Sequence, residues 1–138
     1  MPSKRNRKQC LSPRQKRDLD IEIGFMAGVV RTDPGFVDAW QVLAENYSLR
    51  GRFDEGLSAD LQLSRLLPDD PFVQYNLACS YSRIGRIEEA VRALHRALDL
   101  GYRDFYWISR DPDLAPIRQH PLYKDLRKRM RTLKLETR

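Results

Sequence analysis

Cysteine is almost missing from this chain: Cys10 and Cys79 are the only two in 138 residues. Two thiols so far apart, without a CxxC spacing and beside only two histidines, exclude a disulfide framework and a zinc-type ligand set. A reducing compartment is the expected home. Long apolar runs are lacking too. The most apolar stretch, Ile21 to Val30, is ten residues long and interrupted by Glu22, too short to span a bilayer. The first twenty residues offer no apolar core of the kind that directs secretion. Together these absences point to a cytoplasmic protein. Glycine is sparse, and Gly51 and Gly85 stand alone, so no phosphate-cradling loop is expected. His95 and His120 have no serine, cysteine or carboxylate at a spacing that would make a catalytic set. Both are expected on the surface, and no catalytic residue, metal or cofactor is expected.

Acid is missing from one place in particular. Residues 1–17 carry Lys4, Arg5, Arg7, Lys8, Arg14, Lys16 and Arg17 with no aspartate or glutamate. Residues 124–138 hold seven more basic groups against Asp125 and Glu136, so an overall charge of +6 leaves the stretch between them acidic. The first segment contains Pro2 and Pro13 and shows no helical periodicity, which predicts a flexible basic arm over 1–17 with order beginning near Asp18. Residues 18–123 are expected to form the folded domain, and 124–138 a basic helix end and tail. Weak nucleic-acid binding through these two ends is an alternative function, although residues 1–17 lack the aromatic side chains on which single-stranded bases stack.

What the sequence does contain is a repeat. Leu43, Ala44, Tyr47, Gly51, Phe53, Gly56 and Leu66, accompanied by Trp40 and Pro68, are matched 34 residues later by Leu77, Ala78, Tyr81, Gly85, Ile87, Ala90 and Leu100. Each copy reads as two helices and a turn. Gly51 and Gly85 supply the left-handed conformation that closes a helix, and Asp70 with Pro71 supplies the cap and first turn of another. Leu19, Ile23, Met26 and Val30 add an earlier helix ending before Asp33-Pro34. After Gly101 the pattern degenerates into Phe105 to Ser109, a second short helix capped at Asp111-Pro112, and a third opened by Pro121 that carries Leu122, Leu126, Met130 and Leu133. At least five helices, no sheet, and turns at Gly51, Gly85 and Gly101 are therefore expected. Ala44, Ala59, Ala78, Ala90 and Ala97 are small where helices cross, and Trp40, Tyr47, Phe53, Leu77, Tyr81 and Leu94 are large; core packing is the expected role of all of them.

The W-x-x-L-A-x-x-Y run at Trp40 to Tyr47, the period of 34, and the segment Tyr75-Asn76-Leu77-Ala78-Cys79-Ser80-Tyr81 resemble tetratricopeptide repeat proteins of bacterial type. The tail from Gly101-Tyr102 through Asp111-Pro112-Asp113 to Pro121 resembles the unit that closes such arrays. Gly56 departs from the alanine usual at its position. The resemblance implies an all-α fold, a short right-handed solenoid of antiparallel helix pairs, and a role in holding a protein or peptide rather than in catalysis. It also implies a concave groove lined by the first helix of each repeat: Gln41, Glu45, Ser48 and Leu49 with Phe72, Tyr75, Asn76, Cys79, Ser82 and Arg83. Tyr75 is expected there as an apolar face with a polar tip, Asn76 as a backbone-binding amide, and Arg83 as a partner for acid. Family members that bind a C-terminal carboxylate use lysine, asparagine and arginine from successive first helices. Asn76 alone matches, and Glu45 would repel such a ligand.

Overall fold

In the computed structural model the described residues, 10–136, are helical and turn segments with no strand. No helix among them is long and apolar enough to cross a membrane. Internal packing divides the chain into two units, Met1–Pro68 and Asp69–Arg138.

The first unit holds α1 (Pro13–Thr32), α2 (Val37–Leu49) and α3 (Phe53–Leu66). Helix α1 starts five residues before the expected onset of order. Its cap explains why: the Ser12 hydroxyl accepts from the Gln15 amide at 3.1 Å while the Ser12 amide donates to the Gln15 side chain at 2.8 Å, a closed capping box followed by Pro13 in the first turn. Arg14, Lys16 and Arg17, expected on a flexible arm, are therefore exposed helical residues. Lys4, Arg5, Arg7 and Lys8 lie outside the described residues. One face of α1 is buried through Ile23 and Val30, and Met26, Ala27 and Val29 add to a core shared with Ala39, Leu43 and Ala59. Asp20 pairs with Arg50 at 2.9 Å, and Asn46 donates to Glu22 at 2.8 Å, which fixes α1 along α2.

Helix α2 turns into α3 at Gly51, whose φ of +79° needs glycine. Trp40 is half-buried, and its indole N–H donates to the Pro34 carbonyl at 2.8 Å. Phe53, expected in the core, is 37% exposed at the first position of α3.

The second unit repeats the hairpin with α4 (Pro71–Arg83) and α5 (Ile87–Asp99), joined at Gly85 with φ +81°. Asp70 caps α4 by accepting from the Phe72 and Val73 amides, as its position predicts. Ala78, Ala90, Leu94 and Ala97 are fully enclosed where the two helices meet. Beyond Gly101 come α6 (Phe105–Ile108), a single 3-10 turn at Pro112–Leu114, α7 (Ala115–Arg118) and α8 (Tyr123–Glu136). The 3-10 turn and α7 pack on α4, and α8 packs on α5. Helix α8 buries Leu126 and Met130, while Lys124, Arg127, Lys128, Arg131 and Lys134 face water.

Candidate functional site

The residues expected to line a groove fall into two groups with different fates. Gln41 on α2 is exposed, and Glu45 and Leu49 are half-buried; all three belong to the first unit. Phe72, Tyr75, Asn76, Cys79 and Arg83 belong to the second, where α4 is enclosed on more than one side. Packing against α5 buries one flank. The segment Asp111–Leu114 covers another.

Tyr75 is therefore not a groove residue available to a ligand. It is 1% exposed, and its hydroxyl donates to Asp111 Oδ2 in a short hydrogen bond. Its ring lies flat on Tyr102, with centroids 4.5 Å apart and planes 1° from parallel. Burial, reinforced by Cys79 and Asp111 nearby, pushes the Tyr75 hydroxyl far above the usual phenol range, so it stays protonated and acts as a donor. Tyr102 is raised in the same direction, chiefly by burial.

Cys79 and Arg83 are also committed to the protein's own interior. The Cys79 thiol donates to Asp111 Oδ2 at 3.7 Å. Arg83 pairs with Asp113 Oδ2 at 3.1 Å and donates to the Ser80 hydroxyl at 2.9 Å, with 9% of its side chain exposed. Ser82 completes the arrangement by donating to the Asp113 carbonyl at 2.7 Å. Asp111 in turn accepts from the Asp113 amide at 2.9 Å, which caps the 3-10 turn. One face of α4 thus binds the turn at Asp111-Pro112-Asp113 through Tyr75, Cys79, Ser82 and Arg83, on successive turns of the helix. Asp111, Asp113 and Tyr102 do structural work that the sequence did not assign to them. The Asp-Pro-Asp signature is legible as a cap, but nothing in it names a partner so much earlier in the chain.

Cys79, Asp111 and Asp113 place one ligand atom each within 4.8 Å of one another, close enough to hold an ion. Their surroundings do not fit one. The Arg83 guanidinium occupies the cationic role beside Asp113, and Asp111 already accepts from a phenol, a thiol and an amide. The cluster is a buried hydrogen-bonded fastening.

What α4 leaves open is Phe72 and Asn76, one turn apart. Phe72 is 39% exposed and meets Tyr102 edge-on, centroids 5.9 Å apart, so its ring is supported from beneath by the Tyr102–Tyr75 stack. Asn76 is half-buried beside it.

His95, expected on the surface, is half-buried between α5 and α8. Arg129 donates to its Nδ1 at 3.0 Å and to its carbonyl at 3.1 Å, and also pairs with Asp99. Since guanidinium can only donate, Nδ1 must carry a lone pair. Burial and the adjacent Arg129 charge lower the His95 pKa below the ordinary imidazole value. Half-buried His120 uses Nδ1 to accept from the Leu122 amide at 3.1 Å, closing the turn before α8.

The fold and this site define an all-α protein of consecutive helical hairpins. No family model matches the chain. Among curated proteins it is 36% identical over 76 residues to a chloroplastic protein of Arabidopsis thaliana, a match covering 53% of this chain. The match spans 23% of that protein's length.

Proposed function

We propose that this chain is a non-enzymatic protein interaction module of tetratricopeptide type, its hairpins stacked as a short right-handed solenoid, and that it binds a protein or peptide along the first helices of its repeats. Support comes from the 34-residue period, the paired positive-φ glycines Gly51 and Gly85, and the equivalent hairpins that follow. Cys10 and Cys79, neither of them in a disulfide, suit a reducing compartment, and we assign the protein to the cytoplasm.

The observation that carries the reading is Phe72. A large ring held 39% in water by a buried aromatic stack has little freedom still to be lost on binding, which is what an anchoring contact requires. Asn76 stands one turn along to pair with an extended peptide backbone. Gln41 and Leu49 on α2 offer the corresponding contacts in the first unit. On this reading Phe72 and Asn76 carry the binding role of α4, while the buried Tyr75 and Cys79, with Arg83, hold the fold together.

Peptide display against the full chain, followed by titration of the selected peptide, tests the proposal. Phe72→Ala is expected to cost more than about 1 kcal/mol of binding while leaving the helical signal unchanged. A second reading, weak nucleic-acid binding, is favoured by one observation: the row of exposed lysines and arginines on the outer face of α8. Peptide binding untouched by Phe72→Ala and Asn76→Ala, together with a low-salt RNA or DNA shift abolished by Lys128→Glu and Arg131→Glu, would replace the first reading with the second.

A further inference from the structure

Helix α1 turns a second apolar stripe to water. Ile23 and Val30 are buried against the core, whereas Ile21 and Phe25, on the opposite side, are 65% and 68% exposed. At 3.6 residues per turn Arg14, Asp18, Gly28 and Thr32 share that outer face. The six positions 14, 18, 21, 25, 28 and 32 are separated alternately by four and three residues, the spacing of the seam between two paired helices.

The stripe is complementary to itself. Reversing α1 about Ile23 sets Ile21 opposite Phe25, Asp18 opposite Gly28, and Arg14 opposite Thr32, so large faces large at the centre and a side chain faces glycine further out. Charge follows the same symmetry. A guanidinium nitrogen of Arg31 lies 3.7 Å from the point where a β-carbon on Gly28 would sit, so it drapes over the place that Asp18 of a reversed copy would reach. The first turn of α1 has no acid and carries Arg14 and Lys16, with Arg17 following, an arrangement unfavourable at the positive end of a helix dipole. In a reversed copy Arg14 meets the carbonyl end of the helix and Asp33. A parallel arrangement would set Arg14 and Asp18 against their own counterparts.

We infer that α1 is a homodimer surface, pairing antiparallel with α1 of a second copy through Ile21 and Phe25, with an Asp18–Arg31 ion pair formed twice. From Arg14 to Thr32 the seam runs about 27 Å at 1.5 Å per residue. One helix pair of that length belongs with the small, reversible interfaces, so monomer and dimer exchange with concentration.

Sedimentation equilibrium of the full chain over a wide concentration range, at low and at physiological salt, is the test. The wild type is expected to pass from monomer to dimer. Phe25→Glu should weaken association at least about tenfold. Asp18→Arg should weaken it too, and Asp18→Arg combined with Arg31→Asp should restore it, a rescue that a structural effect on the monomer would not produce. Both Phe25 and Asp18 are exposed, so circular dichroism should show the variants folded; if Phe25→Glu proves unfolded, Ile21→Ser and the charge-swap pair give the same reading. A wild type that stays monomeric at every concentration, a dimer indifferent to Phe25→Glu and Ile21→Ser, or a charge swap without rescue overturns the inference.

Discussion

The phenolic hydroxyl of Tyr75 donates to the carboxylate of Asp111, and both residues are almost entirely removed from water. They stand 36 residues apart, and their bond ties the degenerate C-terminal segment to the first helix of the second hairpin. A buried carboxylate is costly unless its oxygens are satisfied, so the Tyr75, Cys79 and Asp113 donors are what make Asp111 tolerable there.

Tyr75→Phe keeps the ring stack on Tyr102 but leaves Asp111 short of a donor, and should cost about 1–3 kcal/mol. Tyr75→Ala removes the stack as well and should cost about 3–5 kcal/mol, enough to unfold a marginal unit. Urea denaturation followed by circular dichroism measures both. Equal stability of the two variants would mean that the ring contributes nothing beyond its hydroxyl.

Stability should also depend on His95 in a predictable direction. Its folded pKa lies below the unfolded value, because burial and Arg129 disfavour the imidazolium. Above the unfolded value, near 6.5, both states are neutral and the group is silent. As pH falls through that value the unfolded chain takes up a proton that the folded chain resists, and stability drops until the folded pKa is passed. His95→Gln is expected to flatten the loss that sets in as pH falls below about 6.5, read as the change of melting temperature with pH.

Helices, turns and caps were largely legible from local rules, because each rests on residues close in sequence. Gly51, Gly85 and Gly101 all have positive φ, and Asp70 and Asp111 both cap. The early start of α1 was legible too, in Ser12 and Gln15, but the density of charge from Lys4 to Arg17 masked it. Burial was not legible where it depends on distant chain. Tyr75 and Arg83 carry polar tips and sit at positions that face solvent in an isolated hairpin; the Asp111–Asp113 turn encloses them, and no period in the sequence encodes that contact. The positions along α4 that this turn does not reach are Phe72, which is exposed, and Asn76, which is half-buried.

Trp40 separates packing from hydrogen bonding in the first unit. Because it is half-buried, its truncation should cost less than that of a fully enclosed tryptophan, about 2–3 kcal/mol. Trp40→Phe retains most of the apolar contact and loses the indole bond to the Pro34 carbonyl, for an expected cost of about 0.5–1.5 kcal/mol. Thermal unfolding of the two variants should rank them in that order. A phenylalanine variant as unstable as the alanine one would place the whole contribution of Trp40 in its hydrogen bond to the loop before α2.

Gly56 is the position where the chain can be improved. It lies in α3 with helical backbone and aligns with Ala90 of the second hairpin, which is completely enclosed. A β-carbon added at Gly56 would meet Tyr47 Cβ at 3.6 Å, the Ser48 nitrogen at 3.8 Å and the Ala44 oxygen at 4.0 Å, all ordinary van der Waals separations. Glycine inside a helix gives up about 0.5–1 kcal/mol relative to alanine, so Gly56→Ala should stabilise by about that amount and raise the melting temperature by a few degrees. Gly51→Ala is the opposing control. No atom lies within 4 Å of its added β-carbon, but its φ of +79° strains any other residue, and it should destabilise despite the open space. If Gly56→Ala melts lower than wild type, Tyr47 has no room to yield and α2 and α3 are packed as closely as the glycine allows.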